Sequence, residues 1–307
     1  MPTVLLTGAS GFVGRGVARE AAGRPVDLRL MSHRRPVPDA GPRTVSADLA
    51  DPASLRGVCD GVDVLIHCAA RIGGSEEANE AVNARGTLAL VAEARRAGVS
   101  RLVHLSTASV YGRGTFRGSG PEGLVRNPGS ATSRTRAVAE DAVLSAGGIV
   151  LRPHLVIGEG DTWVGPGLAT VLRVLPGRVA GWTSRMSLIS VRVLAELLVA
   201  TALAPDSTLT ASVYHAAHPE PVTADALLRA VAECAGISWP EKEITVREAR
   251  AIFARQGRST TPLDMLTTDH FFDSAPLWSD LRRFPDGDFR TEFQHAAHWY
   301  RQTIRTA

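Results

Sequence analysis

The first half of the chain alternates between short apolar runs and longer amphipathic stretches. Apolar or alternating runs at 4–7, 25–32, 43–51, 62–70, 101–107 and 149–153 predict six strands. Helical spacing of apolar residues follows the first strand and returns at 79–97 and 133–146. Strand and helix repeated in this order predict right-handed βαβ units and therefore a parallel sheet.

Beyond Gly158 this alternation loosens. Residues 186–203 are typical of a strand followed by a helix, and 211–217 of one more sheet strand. The prediction is an α/β fold: a Rossmann-type doubly wound parallel sheet with a smaller, mostly helical C-terminal substrate lobe. Residues 1–157 form the dinucleotide-binding domain, to which 186–217 returns, and 158–185 with 218–307 form the lobe. The polar segment 241–272 is predicted to be a lid.

Three glycines after the first strand predict a phosphate-binding turn. Gly8 permits the turn, Gly11 lets backbone approach a pyrophosphate, and Gly14 lets the following helix pack closely on the strand. The helix N-terminus adds free N–H groups and the positive end of its dipole. A glycine triplet alone can be a chance turn, but its place after the first strand favours a dinucleotide.

The end of the second strand predicts which dinucleotide is bound. It carries Ser32, His33, Arg34 and Arg35, with no carboxylate to accept a ribose 2′-hydroxyl. Asp27 lies too early in the strand for that role. The arginines favour a 2′-phosphate, so the predicted cofactor is NADPH. The alternative is a solvated basic turn without a ligand.

Composition excludes several other classes. The 34 basic and 31 acidic residues are dispersed, which argues against nucleic acid as a partner despite the net charge of +3. No run of about 18 apolar residues predicts a membrane span, and a strand beginning within three residues of Met1 predicts a cytoplasmic protein. Three scattered cysteines predict neither disulfides nor zinc. The pairs His215/His218 and His295/His298 lack a third ligand, so no metal site is predicted.

Ordered motifs along nearly the whole chain resemble the extended short-chain dehydrogenase/reductase family of nucleotide-sugar epimerases, dehydratases and dihydroflavonol-type reductases. These motifs are TGASGFVG at 7–14, Asp48-Leu49, HCAA at 67–70, Asn83 with Gly86-Thr87, STASVYG at 106–112, Arg152-Pro153 and FFDSAPLWSDL at 271–281. The resemblance implies a nicotinamide cofactor in contact with Gly8, Ser10, Gly11, Phe12, Val13, Gly14, Asp48, Leu49, Cys68, Ala69, Ala70, Pro153 and Val156.

The catalytic residues of that family are only partly present. The resemblance places its Ser/Thr at Thr107, whose hydroxyl would donate a hydrogen bond to a substrate carbonyl; the alternative is a threonine that merely caps the strand end. Its Tyr-x-x-x-Lys pair falls on Thr132 and Arg136, which cannot supply or relay a proton near neutral pH. None of the three tyrosines has a lysine four residues later, and Lys242 is the only lysine.

Most aromatic residues lie in the second half of the chain. Trp163, Trp182, Phe253 and Met265 are candidates for the wall of a pocket that holds a flat apolar substrate, or for the core of the small lobe. A flat pocket without a Tyr/Lys acid resembles the atypical ketoreductases of angucyclinone antibiotics.

Three functions follow from these observations. The favoured one is an NADPH-dependent ketoreductase that reduces an aromatic polyketide ketone, with the proton taken from substrate or water. A non-catalytic NADP-binding sensor or scaffold is the second. The third is a nucleotide-sugar epimerase or dehydratase, which the missing base opposes. The sequence leaves the oligomeric state open.

Overall fold

The structure is a computed structural model that describes residues 1–33, 43–180 and 182–305. Its strands are β1 (Thr3–Thr7), β2 (Asp27–Ser32), β3 (Thr44–Ser46), β4 (Val64–His67), β5 (Arg101–Leu105), β6 (Phe116–Ser119), β7 (Ile149–Arg152), β8 (Leu155–Ile157), β9 (Arg178–Val179), β10 (Arg185–Met186), β11 (Leu188–Ser190), β12 (Val213–His215), β13 (Val222–Thr223), β14 (Glu243–Ile244) and β15 (His270–Phe272). The helices are α1 (Phe12–Ala22), α2 (Glu76–Asn79), α3 (Gly86–Arg96), α4 (Ala131–Ser145), α5 (Val164–Val174), α6 (Val191–Leu203), α7 (Ala224–Ala235), α8 (Val246–Arg255), α9 (Thr261–Leu266), α10 (Ala275–Asp280), α11 (Phe289–His295) and α12 (Ala297–Arg305).

Seven strands form the central sheet in the order β12-β7-β5-β4-β1-β2-β3. Every neighbouring pair is parallel, so the carboxyl ends of all seven strands lie along the same edge. The strand order reverses direction on the two sides of β1. In open sheets of this kind, that reversal leaves a crevice at the carboxyl edge, where ligands bind.

Alternation along the strands builds a core on each face of the sheet. In β1, Val4 and Leu6 face one core and Leu5 faces the other, and all three are buried. Helices α1 and α6 pack against each other on the first face, whereas α3 and α4 cover the second. Both faces are therefore dry, as a doubly wound sheet requires.

A third core lies beyond the sheet. It gathers apolar residues of α5, α7, α8, α9 and α12, including Leu168, Leu227, Phe253, Leu263 and Tyr300. A small sheet in the order β13-β10-β15-β6 adjoins this lobe. Strand β6 comes from the first half of the chain and pairs with β15 of the second half, which ties the lobe to the loop that follows β5.

The predicted fold class is confirmed. The six predicted strands of the first half are present, although β3 is shorter than the predicted run 43–51. The helix predicted at 79–97 begins earlier, at Glu76, and contains a π-helical turn at Glu80–Arg85. The lobe also contains short strands that the sequence pattern did not predict. Within the described residues, no helix is long and apolar enough to cross a membrane.

Candidate active site

A cleft of about 420 Å³ opens at the carboxyl ends of β1, β2 and β4. The described residues that line it are Gly8, Ser10, Gly11, Met31, Ser32, His33, Ala47, Asp48, Leu49, Cys68, Ala69, Ala70, Arg71 and Val82. Gly8 has a φ of +75°, and a Cβ atom there would lie 2.6 Å from the backbone nitrogen of Ala69. The turn therefore needs glycine both for its conformation and for its close approach to the β4 end.

The start of α1 fits a pyrophosphate. A Cβ atom on Gly14 would lie 2.0 Å from the carbonyl oxygen of Gly8, so the helix can pack this closely only on a glycine. The helix begins after Gly11, and no side chain caps its first N–H groups. Those N–H groups remain available to an anion, which is the arrangement that a dinucleotide requires.

The structure brings many of the predicted cofactor contacts together, but not all of them. Gly8, Ser10, Gly11, His33, Asp48, Leu49, Cys68, Ala69 and Ala70 line the cleft. Phe12 lines a different cavity of about 310 Å³ on the far side of α1, with Arg15 and Trp299. Val13 and Val156 pack against the core under α1. Pro153 is buried below the turn that carries Thr107, and its carbonyl oxygen accepts a hydrogen bond from Ala108 N at 2.8 Å.

The adenosine end of the cleft holds an ion pair. The Nε2 atom of His33 lies 2.9 Å from Oδ2 of Asp48, and both side chains are partly exposed. Asp27 lies at the opposite end of β2, where it pairs with Arg43, so it does not reach the cleft. Arg34 and Arg35 lie outside the described residues, and their part in binding a 2′-phosphate stays a prediction.

A second cavity of about 480 Å³ lies beside Thr107, between the sheet and the lobe. Its described lining residues are Thr107, Ala108, Ser109, Gly112, Arg113, Gly114, Thr115, Phe116, His154, Leu155, Thr261, Asp264, Met265, Thr268, His270 and Phe272. The 241–272 segment predicted as a lid supplies one wall through α9 and β15. The same segment is anchored in the third core by Phe253, Leu263 and Leu266.

Thr107 has both roles that the sequence left open. It precedes a short turn, and its Oγ1 accepts a hydrogen bond from Ser109 N at 3.2 Å, as a capping residue does. The hydroxyl hydrogen is directed at Ser109 Oγ, 3.1 Å away on the surface of the same cavity. Because a hydroxyl rotor can turn, Thr107 can keep the cap and donate its hydrogen to a ligand.

The residues in the tyrosine and lysine positions of the family do not form an acid. Thr132 Oγ1 donates to Asn79 Oδ1 at 3.0 Å and accepts from Gly73 N at 3.2 Å. Arg136 is buried, donates from Nη2 to the Leu105 carbonyl oxygen, and leaves Nε without a partner among the described residues. Burial lowers the pKa of Arg136 to about 10, so it stays charged at neutral pH.

No phenol takes over the role of the acid. Tyr111 accepts a hydrogen bond from Arg152 Nη1 at 2.7 Å and lies 2.7 Å from His215 Nε2. Tyr214 donates to Asp280 at 2.6 Å, and Tyr300 donates to Asp161 at 2.9 Å. Burial raises the pKa of all three hydroxyls. None of the chain's three tyrosines lines the cavity.

The aromatic wall proposed from the sequence is wrong in three of its four members. Trp182 and Phe253 are buried in the third core, and Trp163 is 67% exposed on the surface. Only Met265 lines the cavity. The aromatic rings that do line it are Phe116 and Phe272, whose centroids lie 5.3 Å apart. Composition could not separate these rings from core aromatics, because both need bulky apolar side chains.

Sequence reasoning missed the two histidines of the cavity, His154 and His270. Their rings are parallel, with 5.5 Å between centroids and an interplanar angle of 10°. The only signal for His154 is its place directly after Arg152-Pro153, at the end of a sheet strand. The paired histidines singled out from the sequence lie elsewhere, and no group of three or more possible metal ligands occurs among the described residues.

Four histidines outside the ion pair are buried without charge. Burial lowers the pKa of His67 and of His154 to about 3 and that of His215 to about 4, and holds the pKa of His104 well below 6.5. In the unfolded chain these rings bind a proton below pH 6.5. Folding is therefore most stable above that pH, and stability is lost as the pH falls below it, by about 1.4 kcal/mol per pH unit for each ring.

Replacing His104 with phenylalanine is expected to reduce that pH dependence. Both ring nitrogens of His104 are buried without a partner among the described residues, so the substitution removes a titrating group and no hydrogen bond. Urea unfolding between pH 7.5 and 5 measures the slope. His298→Gln, at an exposed position, is the control and should leave the slope unchanged. A His104→Phe slope equal to that of the wild type would contradict the prediction.

Comparison with known proteins gives the context of this site. The sequence pattern of the NAD dependent epimerase/dehydratase family matches residues 4–217. A 2-alkyl-3-oxoalkanoate reductase of Stenotrophomonas maltophilia is 29% identical over 92% of this chain and 94% of its own. A 4-hydroxy-2-methyl-3-oxo-4-farnesyl-3,4-dihydroquinoline-1-oxide ketoreductase of Stigmatella aurantiaca is 31% identical over 55% of this chain and 54% of its own.

Solved structures agree with the fold. The Bordetella bronchiseptica enzyme WbmH, solved in complex with NAD+, superposes with a TM-score of 0.78 at 19% identity, over 98% of this chain and 99% of that one. RMD from Pseudomonas aeruginosa, complexed with NADPH, gives a TM-score of 0.69 at 18% identity, over 98% of both chains. At these identities the likeness shows the shared fold alone.

Proposed function

We propose that this chain, which belongs to the NAD dependent epimerase/dehydratase family, is an NADPH-dependent ketoreductase acting on an aromatic ketone that carries a hydroxyl beside the carbonyl. The polycyclic ketone of an angucyclinone polyketide, as in simocyclinone antibiotic biosynthesis, is such a substrate. One observation carries the proposal. The cavity contains the Thr107 hydroxyl but no phenol, and the two family positions that make an acid hold Thr132 and Arg136.

Reduction of a ketone suits this set of residues. NADPH, held at the cradle of Gly8, Gly11 and Gly14, supplies the hydride. Thr107 donates a hydrogen bond to the carbonyl oxygen, where negative charge develops as the C=O π pair moves onto oxygen. The resulting alkoxide takes the proton of the neighbouring substrate hydroxyl through an internal hydrogen bond. The phenolate that remains is protonated by water, so the reaction is balanced without a protein acid.

Oxidation of an alcohol, as in an epimerase, is not supported in the same way. It requires a base that removes the hydroxyl proton as hydride leaves. Thr132 is far too weak a base, and its hydroxyl is occupied by Asn79 and Gly73. Arg136 contributes only a fixed positive charge beside the buried rings of His67 and His104.

The relatives support a ketone substrate and suggest a second candidate. The name of the Stigmatella ketoreductase gives its substrate a hydroxyl at position 4, next to the oxo group at position 3. The Stenotrophomonas reductase, similar along the whole chain, acts on an open-chain 3-oxoalkanoate. Arg113 lies at the cavity surface and could meet such a carboxylate, although its guanidinium already contacts Thr261 and Asp264.

Turnover with two ketones tests the proposal. We expect NADPH oxidation with 8-hydroxy-1-tetralone, an aryl ketone with a neighbouring hydroxyl, and a much slower rate with a 2-alkyl-3-oxoalkanoate. The opposite order of kcat/KM would favour the second candidate. Binding of NADPH with no turnover of either ketone would favour a sensor or scaffold.

NADPH is expected to bind more tightly than NADH. The second strand ends without a carboxylate, and Asp27 lies at its far end. Fluorescence titrations measure both affinities, and the double substitution of Arg34 and Arg35 by alanine should narrow the gap. Arg43→Ala, which removes a basic group from the start of the strand, is the control. Equal affinity of the native protein for NADPH and NADH would contradict the prediction.

Replacing Thr132 with valine is expected to keep kcat within about tenfold of the wild type. Its hydroxyl holds Asn79 and Gly73 in place and moves no proton, so the change removes two structural hydrogen bonds. Thr135→Val on the same helix, which removes a hydroxyl bonded to Asn83, is the matched control. A loss of about a thousandfold for Thr132→Val alone, the size expected of a positioned acid, would show that Thr132 takes part in the chemistry.

A further inference from the structure

We propose that His154 is the catalytic-site residue that recognises the substrate hydroxyl next to the reacting carbonyl, donating a hydrogen bond to the oxygen of that hydroxyl. This inference rests on the function proposed above and adds a second hydrogen-bond donor to Thr107. It assigns one donor to each of the two oxygens that carry charge during the reduction.

The position of His154 follows from the ends of two sheet strands. It comes two residues after the end of β7, and the hydrogen bond from Ala108 N to the Pro153 carbonyl oxygen, at 2.8 Å, joins its segment to the Thr107 turn. Both His154 and Thr107 line the 480 Å³ cavity. A ligand in that cavity can therefore meet both side chains.

Packing holds the imidazole of His154 in place without using its nitrogens. The ring stacks on His270, and Phe272 meets it edge-on with 5.7 Å between centroids. Nε2 is buried and has no hydrogen-bond partner among the described residues. A half-turn about χ2 exchanges the two edges within the same stack, so either nitrogen can be presented to the cavity.

An unpartnered nitrogen in this position is costly, and the cost points to a ligand. Leaving a buried polar group unsatisfied costs on the order of 1–3 kcal/mol. A phenylalanine would fill the same space between His270 and Phe272 without that cost. The nitrogen is therefore best explained by a polar group that enters the cavity with the substrate.

The state of the ring fits a hydroxyl rather than an anion. Burial and the neighbouring His270 lower the pKa of His154 to about 3, so it is neutral at pH 7 and carries one N–H donor. His270 is oriented separately, because its Nδ1 hydrogen is donated to the Thr268 carbonyl oxygen at 3.0 Å. An N–H of His154 on the hydroxyl oxygen stabilises the phenolate left when the proton moves to the alkoxide.

The experiment compares the binding of two ketones in the presence of NADP+, where no turnover occurs. The probes are 8-hydroxy-1-tetralone and 1-tetralone, which differ only in the hydroxyl. We expect the wild type to prefer the hydroxylated ketone by about tenfold in Kd, the scale of one buried hydrogen bond. His154→Phe should remove the preference, whereas His270→Phe, the matched change in the other ring of the stack, should retain it.

The possible outcomes separate this inference from the proposed function. A preference that persists in His154→Phe, or equal wild-type affinity for both ketones, overturns the role of His154. Binding of neither ketone by the wild type overturns the proposed substrate class as well. Should His154→Phe fail to fold, the ¹⁵N resonances of the His154 ring in the wild type decide the question. They should shift on addition of 8-hydroxy-1-tetralone and not on addition of 1-tetralone, and no difference between the ketones contradicts the inference.

Discussion

Methylation of the substrate hydroxyl is expected to lower kcat by about a hundred- to ten-thousandfold, the range over which a positioned proton donor accelerates a reaction. The cavity contains no tyrosine, and the two residues in the acid positions of the family are a hydrogen-bonded threonine and a buried guanidinium. The proton must then come from the substrate itself. In 8-methoxy-1-tetralone the carbonyl and ring system are kept, but the internal donor is lost.

Two controls make this comparison decisive. Binding of both ketones with NADP+ shows whether the methyl group disturbs the fit. Reduction of both by borohydride corrects for their different intrinsic electrophilicity. Equal enzymatic turnover after these corrections would rule out substrate assistance and would assign the proton to water or to another side chain of the cavity.

Replacing Thr107 with valine is expected to lower kcat/KM by about a hundred- to a thousandfold, the cost of removing one donor to a developing oxyanion. Valine has nearly the same shape, so the cavity keeps its volume. It also removes the acceptor for Ser109 N, a capping bond that contributes about 1 kcal/mol to stability. That cost would appear in the unfolding midpoint and not in the catalytic step.

Thr107→Ser provides the rescue, because it retains a hydroxyl at the same atom and should recover most of the activity. Ser109→Ala removes the hydroxyl to which Thr107 donates at 3.1 Å and should leave kcat/KM near the wild-type value. Unchanged NADPH affinity in all three variants would place the effect on the chemical step. A loss below tenfold in Thr107→Val would show that Thr107 is only a cap.

The sequence predicts the cofactor cradle well because the cradle is local. Gly8, Gly11 and Gly14 lie within seven residues, and each is required by a backbone distance or dihedral angle that glycine alone allows. Thr107 was equally accessible, since a strand end and a short motif define it. Both features depend on neighbours in sequence, which a pattern can represent.

The substrate wall was harder to predict because it is built from distant parts of the chain. His154 and Phe116 meet His270 and Phe272 only after β6 has paired with β15. Trp182 and Phe253 seemed equally suitable as wall residues, but the third core contains them. Aromatic composition states how much bulky surface must be buried and not which side of a helix buries it.

The pairing of β6 with β15 also sets an order in time. Arg117 and Asp269, which form an ion pair beside these strands, are 152 positions apart in the chain. During synthesis, the strands and glycines of the cradle leave the ribosome long before β15 exists, whereas β6 must wait for its partner. Pairing over such a separation is slow, because a long loop must close first. A nascent chain halted before β15 would therefore already have its dinucleotide cradle while still lacking the wall that selects a ketone.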